Sequence, residues 1–169
     1  MTGEYALIVK TADCIGCSAC EVACKQEHGL PVGPRWIKVS ADDPREIDGR
    51  LQLRYTVAHC LHCTSPGCLS VCPVDAITKR ADGIVLVDAT LCNGCLSCID
   101  GCPIGVMQFD EDKRLAEKCD LCLARHDQGL NPACVNACPT GCIYYGYTSE
   151  IFTKAGTPEL LSKYKNIDS

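Results

Sequence analysis

Aromatic residues are scarce in this chain: one Trp, two Phe and six Tyr among 169 residues. That is a thin supply for a conventional core of this length, so packing of large rings is not what organises it. Long apolar runs are missing too. No stretch approaches the ~20 residues that a bilayer span needs, and direct membrane insertion is not expected. Basic charge is not in surplus either, since 16 Lys and Arg against 21 Asp and Glu leave a net charge of −5. That balance disfavours nucleic acid as a partner and suits docking against a basic protein face. The opening residues, Met1 to Tyr5, contain neither a basic n-region nor an apolar h-region, which opposes a secreted disulfide scaffold; the expected location is the cytoplasm. A glycine-rich dinucleotide loop and a Ser/His/Asp-type constellation are absent, and catalysis by this chain alone is not expected.

What the chain has in abundance is cysteine: 17 residues, of which 16 fall into four compact runs. They read Cys14-x2-Cys17-x2-Cys20-x3-Cys24, Cys60-x2-Cys63-x4-Cys68-x3-Cys72-Pro73, Cys92-x2-Cys95-x2-Cys98-x3-Cys102-Pro103 and Cys119-x2-Cys122-x11-Cys134-x3-Cys138-Pro139. Three closely spaced cysteines, then a fourth after three residues and a proline, form the bacterial ferredoxin run that holds 4Fe–4S cubes. Four thiolates per cube make four clusters, which is the machinery of electron transport. A secreted disulfide scaffold does not suit an odd count grouped at ligand spacing. Zinc knuckles also use Cys-x2-Cys pairs, but they do not ask for cysteines at i, i+3 and i+6 with a trailing Cys-Pro. A zinc-stabilised interaction module stays as the remote alternative.

The spacing has a physical reason. Two-residue intervals let one tight loop set three sulfurs on three irons while its N–H groups turn toward the sulfides. Such a loop needs small or φ-permissive residues, and Gly16, Ser18, Ala19, Gly94 and Ser97 lie inside the runs. The fourth cysteine lies beyond the loop, where proline turns the chain away, and in two-cluster ferredoxins it ligates the other cube. Residues 72–92 read straight through as part of one two-cluster ferredoxin, with a strand at 84–87 fed by an Asp82-Gly83 turn. The second and third runs therefore pair, and the first and last pair by elimination. The expected ligands are Cys14, Cys17, Cys20 and Cys138 for cluster 1, and Cys24, Cys119, Cys122 and Cys134 for cluster 2. Cluster 3 takes Cys60, Cys63, Cys68 and Cys102; cluster 4 takes Cys72, Cys92, Cys95 and Cys98.

The second run, Cys60-Leu61-His62-Cys63-Thr64-Ser65-Pro66-Gly67-Cys68-Leu69-Ser70-Val71-Cys72-Pro73, resembles that of the four-cluster subunits serving dimethyl sulfoxide, nitrate and polysulfide reductases and formate dehydrogenases. The long gap Cys122-x11-Cys134 matches that family as well, and the resemblance runs from about Tyr5 to Gly146. It implies a non-catalytic subunit that passes electrons between a large molybdenum- or tungsten-pterin catalytic subunit and a second redox partner. That partner would be a flavin subunit, a ferredoxin or a membrane subunit, in a hetero-oligomer of anaerobic metabolism. In its compactness the chain is similar to the small subunits of tungsten aldehyde oxidoreductases. The alternative is a free polyferredoxin, or a subunit of a hydrogenase or carbon monoxide dehydrogenase complex, which the family also serves. All sixteen ligand positions carry cysteine, whereas some relatives place tryptophan at one and hold a three-iron cluster. Relatives can be exported folded beside a signal-bearing partner, which makes the periplasm the alternative location.

The expected fold class is α+β, with two nested ferredoxin-like modules in a domain over residues 1–147. The outer module takes 1–24 and 115–147, the inner 59–114, with a β-hairpin insert at 25–58 and a short helical tail at 148–169. Residues 5–9 read as a strand, and the insert alternates at 36–39 and 51–57 around Asp42-Asp43-Pro44 and Asp48-Gly49. In the tail, Thr157 as N-cap and Pro158 at the first helical position start a helix toward Leu161. Cys142 takes the place that Ala76 holds after the second run and is expected as a small core residue. His62 is expected to hydrogen-bond a sulfide or thiolate rather than bind iron, and His28 and His126, in polar connections, to be solvated. Lys79, Arg80 and Lys118 read two ways, as solvated charge or as cations raising a nearby cluster's potential.

Overall fold

Among the described residues, 3–157 of this computed structural model, every sheet is a two-stranded antiparallel ribbon. In chain order the elements are β1 (Tyr5–Val9), α1 (Ala19–His28), β2 (Ile37–Ala41), β3 (Arg45–Ile47), β4 (Arg50–Gln52), β5 (Tyr55–His59), α2 (Gly67–Ser70) and β6 (Ile77–Lys79). Then follow β7 (Val85–Val87), α3 (Ser97–Asp100), β8 (Gln108–Asp110), β9 (Leu115–Glu117), α4 (Leu123–His126), α5 (Ala133–Ala137), β10 (Ile143–Tyr147) and α6 (Thr148–Lys154). The mixture is of the α+β class. Ribbons and helices this short are marginal in water on their own, so the loops between them decide what holds the molecule together.

β1 pairs with β10 along its whole length, from Tyr5 opposite Tyr147 to Val9 opposite Ile143. Helix α6 covers this ribbon, with Ile151 and Phe152 buried against Ala6 and flanked by Ile8 and Tyr144. The segment following Tyr147 therefore starts as a packed helix. The helix expected toward Leu161 falls outside the described residues.

The insert differs from the two strands expected of it. β2 pairs with β5, and beyond them β3 and β4 form a second ribbon. That ribbon is closed by Asp48 and Gly49, both at positive φ, the signature of a two-residue hairpin turn. The single strand expected over 51–57 is split because residues 42–44 face only residues 53–54 across the ladder. The extra residue makes a bulge, and Pro44, which has no N–H to donate, sits where the pairing lapses.

Besides the patch under α6, two larger cores form, and cysteines belong to both. The larger combines Leu7, Ile37, Ile84, Leu121 and Ile143 with Cys20, Cys24, Cys134 and Cys142. The smaller combines Ile77, Val85, Met107 and Ala116 with Cys98. Ile84 and Val85 are neighbours in sequence and fully buried, yet each enters a different core, as alternating residues of extended chain do. They form the seam between the two halves.

Candidate metal centres

Each cysteine run opens with a backbone turn of the same hand. The second residue after the first cysteine has positive φ in all four: Gly16 at 69°, His62 at 51°, Gly94 at 70° and Leu121 at 58°. Ser18 and Leu96, just after the second cysteine of their runs, repeat it. Turns of this kind line successive N–H groups around a concavity that binds anions, including iron–sulfur groups. Glycine made two of these positions legible in the sequence; His62 and Leu121 hid the other two, since such side chains seldom adopt this conformation. A second repeat follows each Cys-Pro pair, where Asp75, Gly105 and Gly141 are also left-handed.

Three small clefts of nearly equal size lie behind these loops. One is walled by Cys72, Cys92, Cys95 and Cys98, the next by Cys14, Cys17, Cys20 and Cys138 with Cys142 beside them, the last by Cys60, Cys63, Cys68 and Cys102. The remaining quartet is held more tightly. Cys122 acts electrostatically on Cys24, both act on Cys134, and Cys134 together with Cys60 of the neighbouring set acts on Cys119. Burial pushes the thiols of Cys20 and Cys122 up to about 11 and that of Cys24 up to about 12, with Cys119 well above the ordinary range. Thiolates this crowded and this dry stand only where a cation replaces the proton. Metal binding must then release protons, and it gains as pH rises.

The residues between the cysteines complete the fit. The Val85 N–H donates to His62 Nδ1 at 2.9 Å, so the ring proton sits on Nε2. That Nε2 is buried and has no hydrogen-bond partner among the described residues. An unmatched buried donor is costly, and a cluster sulfide or thiolate is the acceptor such a group requires. Burial first, then the Lys118 charge, pushes the His62 pKa well below its ordinary value, which keeps the ring neutral. The backbone N–H of His62, meanwhile, reaches Cys60 Sγ at 3.5 Å.

Three other side chains differ from, or add to, expectation. His28 and His126 are not solvated. His28 packs on Trp36 with its Nε2 3.4 Å from Cys122 Sγ, and His126 bonds the Tyr145 hydroxyl and the Asp82 carboxylate. Both contacts join segments far apart in sequence, which local polarity does not reveal. Cys142 is buried in the larger core, and its sulfur is 3.6 Å from that of Cys138. The cations separate into two kinds. Lys79 pairs with Glu4 at 2.6 Å, and Arg80 with Asp82 and Asp127, so their charge is largely neutralised. Lys118 is only 4% exposed, and its ammonium donates to the carbonyls of Val85 and Cys119.

Comparison with known proteins agrees with this geometry. A model described as a 4Fe-4S dicluster domain matches residues 51–148, and another of the same description matches 13–76. The chain belongs to the 4Fe-4S dicluster family. This dicluster protein is 36% identical over 166 residues to a probable anaerobic dimethyl sulfoxide reductase chain of Escherichia coli, covering 93% of this chain and 80% of that one. It is 37% identical over 152 residues to a polysulfide reductase chain of Wolinella succinogenes, covering 89% and 80%. It is 36% identical over 169 residues to the iron–sulfur subunit of the nitrate-inducible formate dehydrogenase of E. coli, covering 90% and 57%. Two dicluster units carry four 4Fe–4S clusters, and the chain is an iron–sulfur electron-transfer protein. The zinc alternative is set aside. Among the described residues, no helix is long and apolar enough to cross a membrane.

One loop of this dicluster protein can be tested by a single methyl group. A Cβ on Gly94 would stand 2.5 Å from the Arg114 carbonyl oxygen, at a φ of +70°. Gly94→Ala adds left-handed strain of about 1–2 kcal/mol to a backbone collision that no side chain can relieve. Its expected outcome is loss of about four irons per chain, with the other clusters still visible by EPR. Full iron in the purified variant would contradict it.

Proposed function

We propose that this chain is the electron-transfer subunit linking a molybdenum- or tungsten-pterin catalytic subunit to a second redox partner, and that it contributes no catalytic residue itself. Relatives named as chains of dimethyl sulfoxide reductase, polysulfide reductase and formate dehydrogenase support this reading. Each cavity-lining quartet holds one cluster, and Cys24, Cys119, Cys122 and Cys134 hold the fourth. Each cluster, when bound, supplies one-electron storage at a potential set by its hydrogen bonds and exposure. The assignment crosses the runs, with Cys102 and Cys138 each serving a loop distant in sequence. It therefore makes an inner module nested within an outer one, and the β1–β10 ribbon supports the outer closure.

The observation that carries the function is the arrangement of exposure. Cys17 and Cys95 are exposed, while Cys20, Cys24, Cys60, Cys98, Cys122 and Cys134 are buried. The quartets also adjoin in series. Cys20 and Cys24 share α1, Cys60 acts electrostatically on Cys119, and Cys68 acts on Cys98. A row of sites with exposed cysteine only at its two ends is what two partners, docked at separate places, require.

The test is a metal analysis of the native complex purified without oxygen. About sixteen irons per chain with stoichiometric molybdenum or tungsten is expected. Nickel in their place would assign the chain to a hydrogenase or carbon monoxide dehydrogenase complex. A lone iron-bearing chain on size exclusion would make it a free polyferredoxin.

A further inference from the structure

We infer that Lys118 is the positioning charge of the cluster held by Cys60, Cys63, Cys68 and Cys102, raising its potential above that of the same site without the cation. The inference rests on that ligand set. Lys118 is 4% exposed and lines the same cavity as those four cysteines. Its Nζ donates to two carbonyl oxygens, those of Val85 and Cys119. An ammonium has three donors, and among the described residues no carboxylate lies within salt-bridge distance of it. The carboxylate beside it in sequence does not offset it, because Glu117 pairs with Lys113 at 2.7 Å, and Glu4 is taken by Lys79.

A buried cation with no counter-charge is strongly unfavourable in a folded protein. The anion whose cavity it lines is the group seated among those four thiolates. Reduction adds one further negative charge to that group, and the nearby ammonium stabilises the reduced form more than the oxidised one. The carbonyls of Val85 and Cys119 fix the ammonium in place. Val85 is also the residue whose N–H holds His62, so both backbone groups of one seam residue orient side chains toward the metal sites. Cys119 belongs to the adjacent quartet, which places this charge at the junction of the two central sites.

The experiment uses the full chain with its clusters assembled, in three variants: K118M, K118Q and K118R. Iron is counted first, and the midpoint of each cluster is then followed by EPR during a redox titration. With iron unchanged, both neutral variants are expected to lower one midpoint so that its reduced-to-oxidised ratio at fixed potential falls at least tenfold, about 59 mV for a one-electron couple. K118R, which keeps the charge, should restore most of the shift. The affected signal should be the one lost in Cys63→Ser. Loss of about four irons in both neutral variants, with full iron in K118R, would equally show that the site requires the cation. Unchanged midpoints in a neutral variant holding all its iron would overturn the role of Lys118 and leave the ligand sets standing. A shift in a signal that survives Cys63→Ser would overturn the placement. A wild-type chain holding fewer than four clusters would overturn the functional reading itself.

Discussion

Chelating the iron from the purified chain will unfold most of it. The larger core takes four of its nine buried members from cysteine, and three of the four quartets each wall a cleft. What remains without metal is a set of two-stranded ribbons and helices, five of them of four to seven residues. Such elements do not persist alone, and one Trp with two Phe do not supply the missing packing. Metal binding and folding are then a single equilibrium, with the metal term larger than the whole stability of an ordinary domain of this size. Far-UV circular dichroism and proton NMR of the stripped chain should show lost helix signal and collapsed dispersion. A stripped chain with well-dispersed, native-like spectra would refute this.

Cys102→Ser should remove the cluster of the second run, not that of its own run. The third run ends in Cys102, yet Cys102 lines the cavity with Cys60, Cys63 and Cys68, while Cys98, four residues earlier, lines the one with Cys72. The two cysteines leave opposite ends of α3 and its following turn. Gly67 and Gly101 bring α2 and α3 together closely enough that a Cβ on Gly67 would stand 2.6 Å from the Gly101 carbonyl oxygen. The expected result is about four irons lost, with the surviving EPR signals matching those of Cys63→Ser and differing from those of Cys95→Ser. Because that quartet lies inside the row, electron delivery between the two partners should fall with it, while each end still exchanges electrons with its own partner. If Cys102→Ser and Cys95→Ser remove the same signal, the cross-bracing is wrong.

Much of this was written in the cysteine spacing, because a ligand loop is local and its geometry follows from a few consecutive residues. The strand at Tyr5–Val9 and the left-handed turns at Gly16 and Gly94 were legible for the same reason. The insert was less so. The alternation across 51–57 is real, but where a strand breaks depends on what faces it, and Pro44 on the opposite strand decides that. His28 and His126 escaped, and Lys118 read two ways, for a further reason. Each is polar in a polar stretch, and its role arises only when α1, the seam and the fourth run meet. A charge next to a cysteine reads the same in sequence whether it faces solvent or a buried anion.

The β1–β10 ribbon has a consequence for how the protein comes into being. On the ribosome, Tyr5 emerges long before its partner Tyr147. On the proposed ligand sets, the inner quartets would be complete once Cys102 has been synthesised, while Cys14 would still wait for Cys138. A nascent chain offered iron and sulfide would therefore mature from its middle outward. The last site to close would be the one that carries exposed Cys17, so the protein would gain one of its two surface contacts for electrons only once its interior was finished.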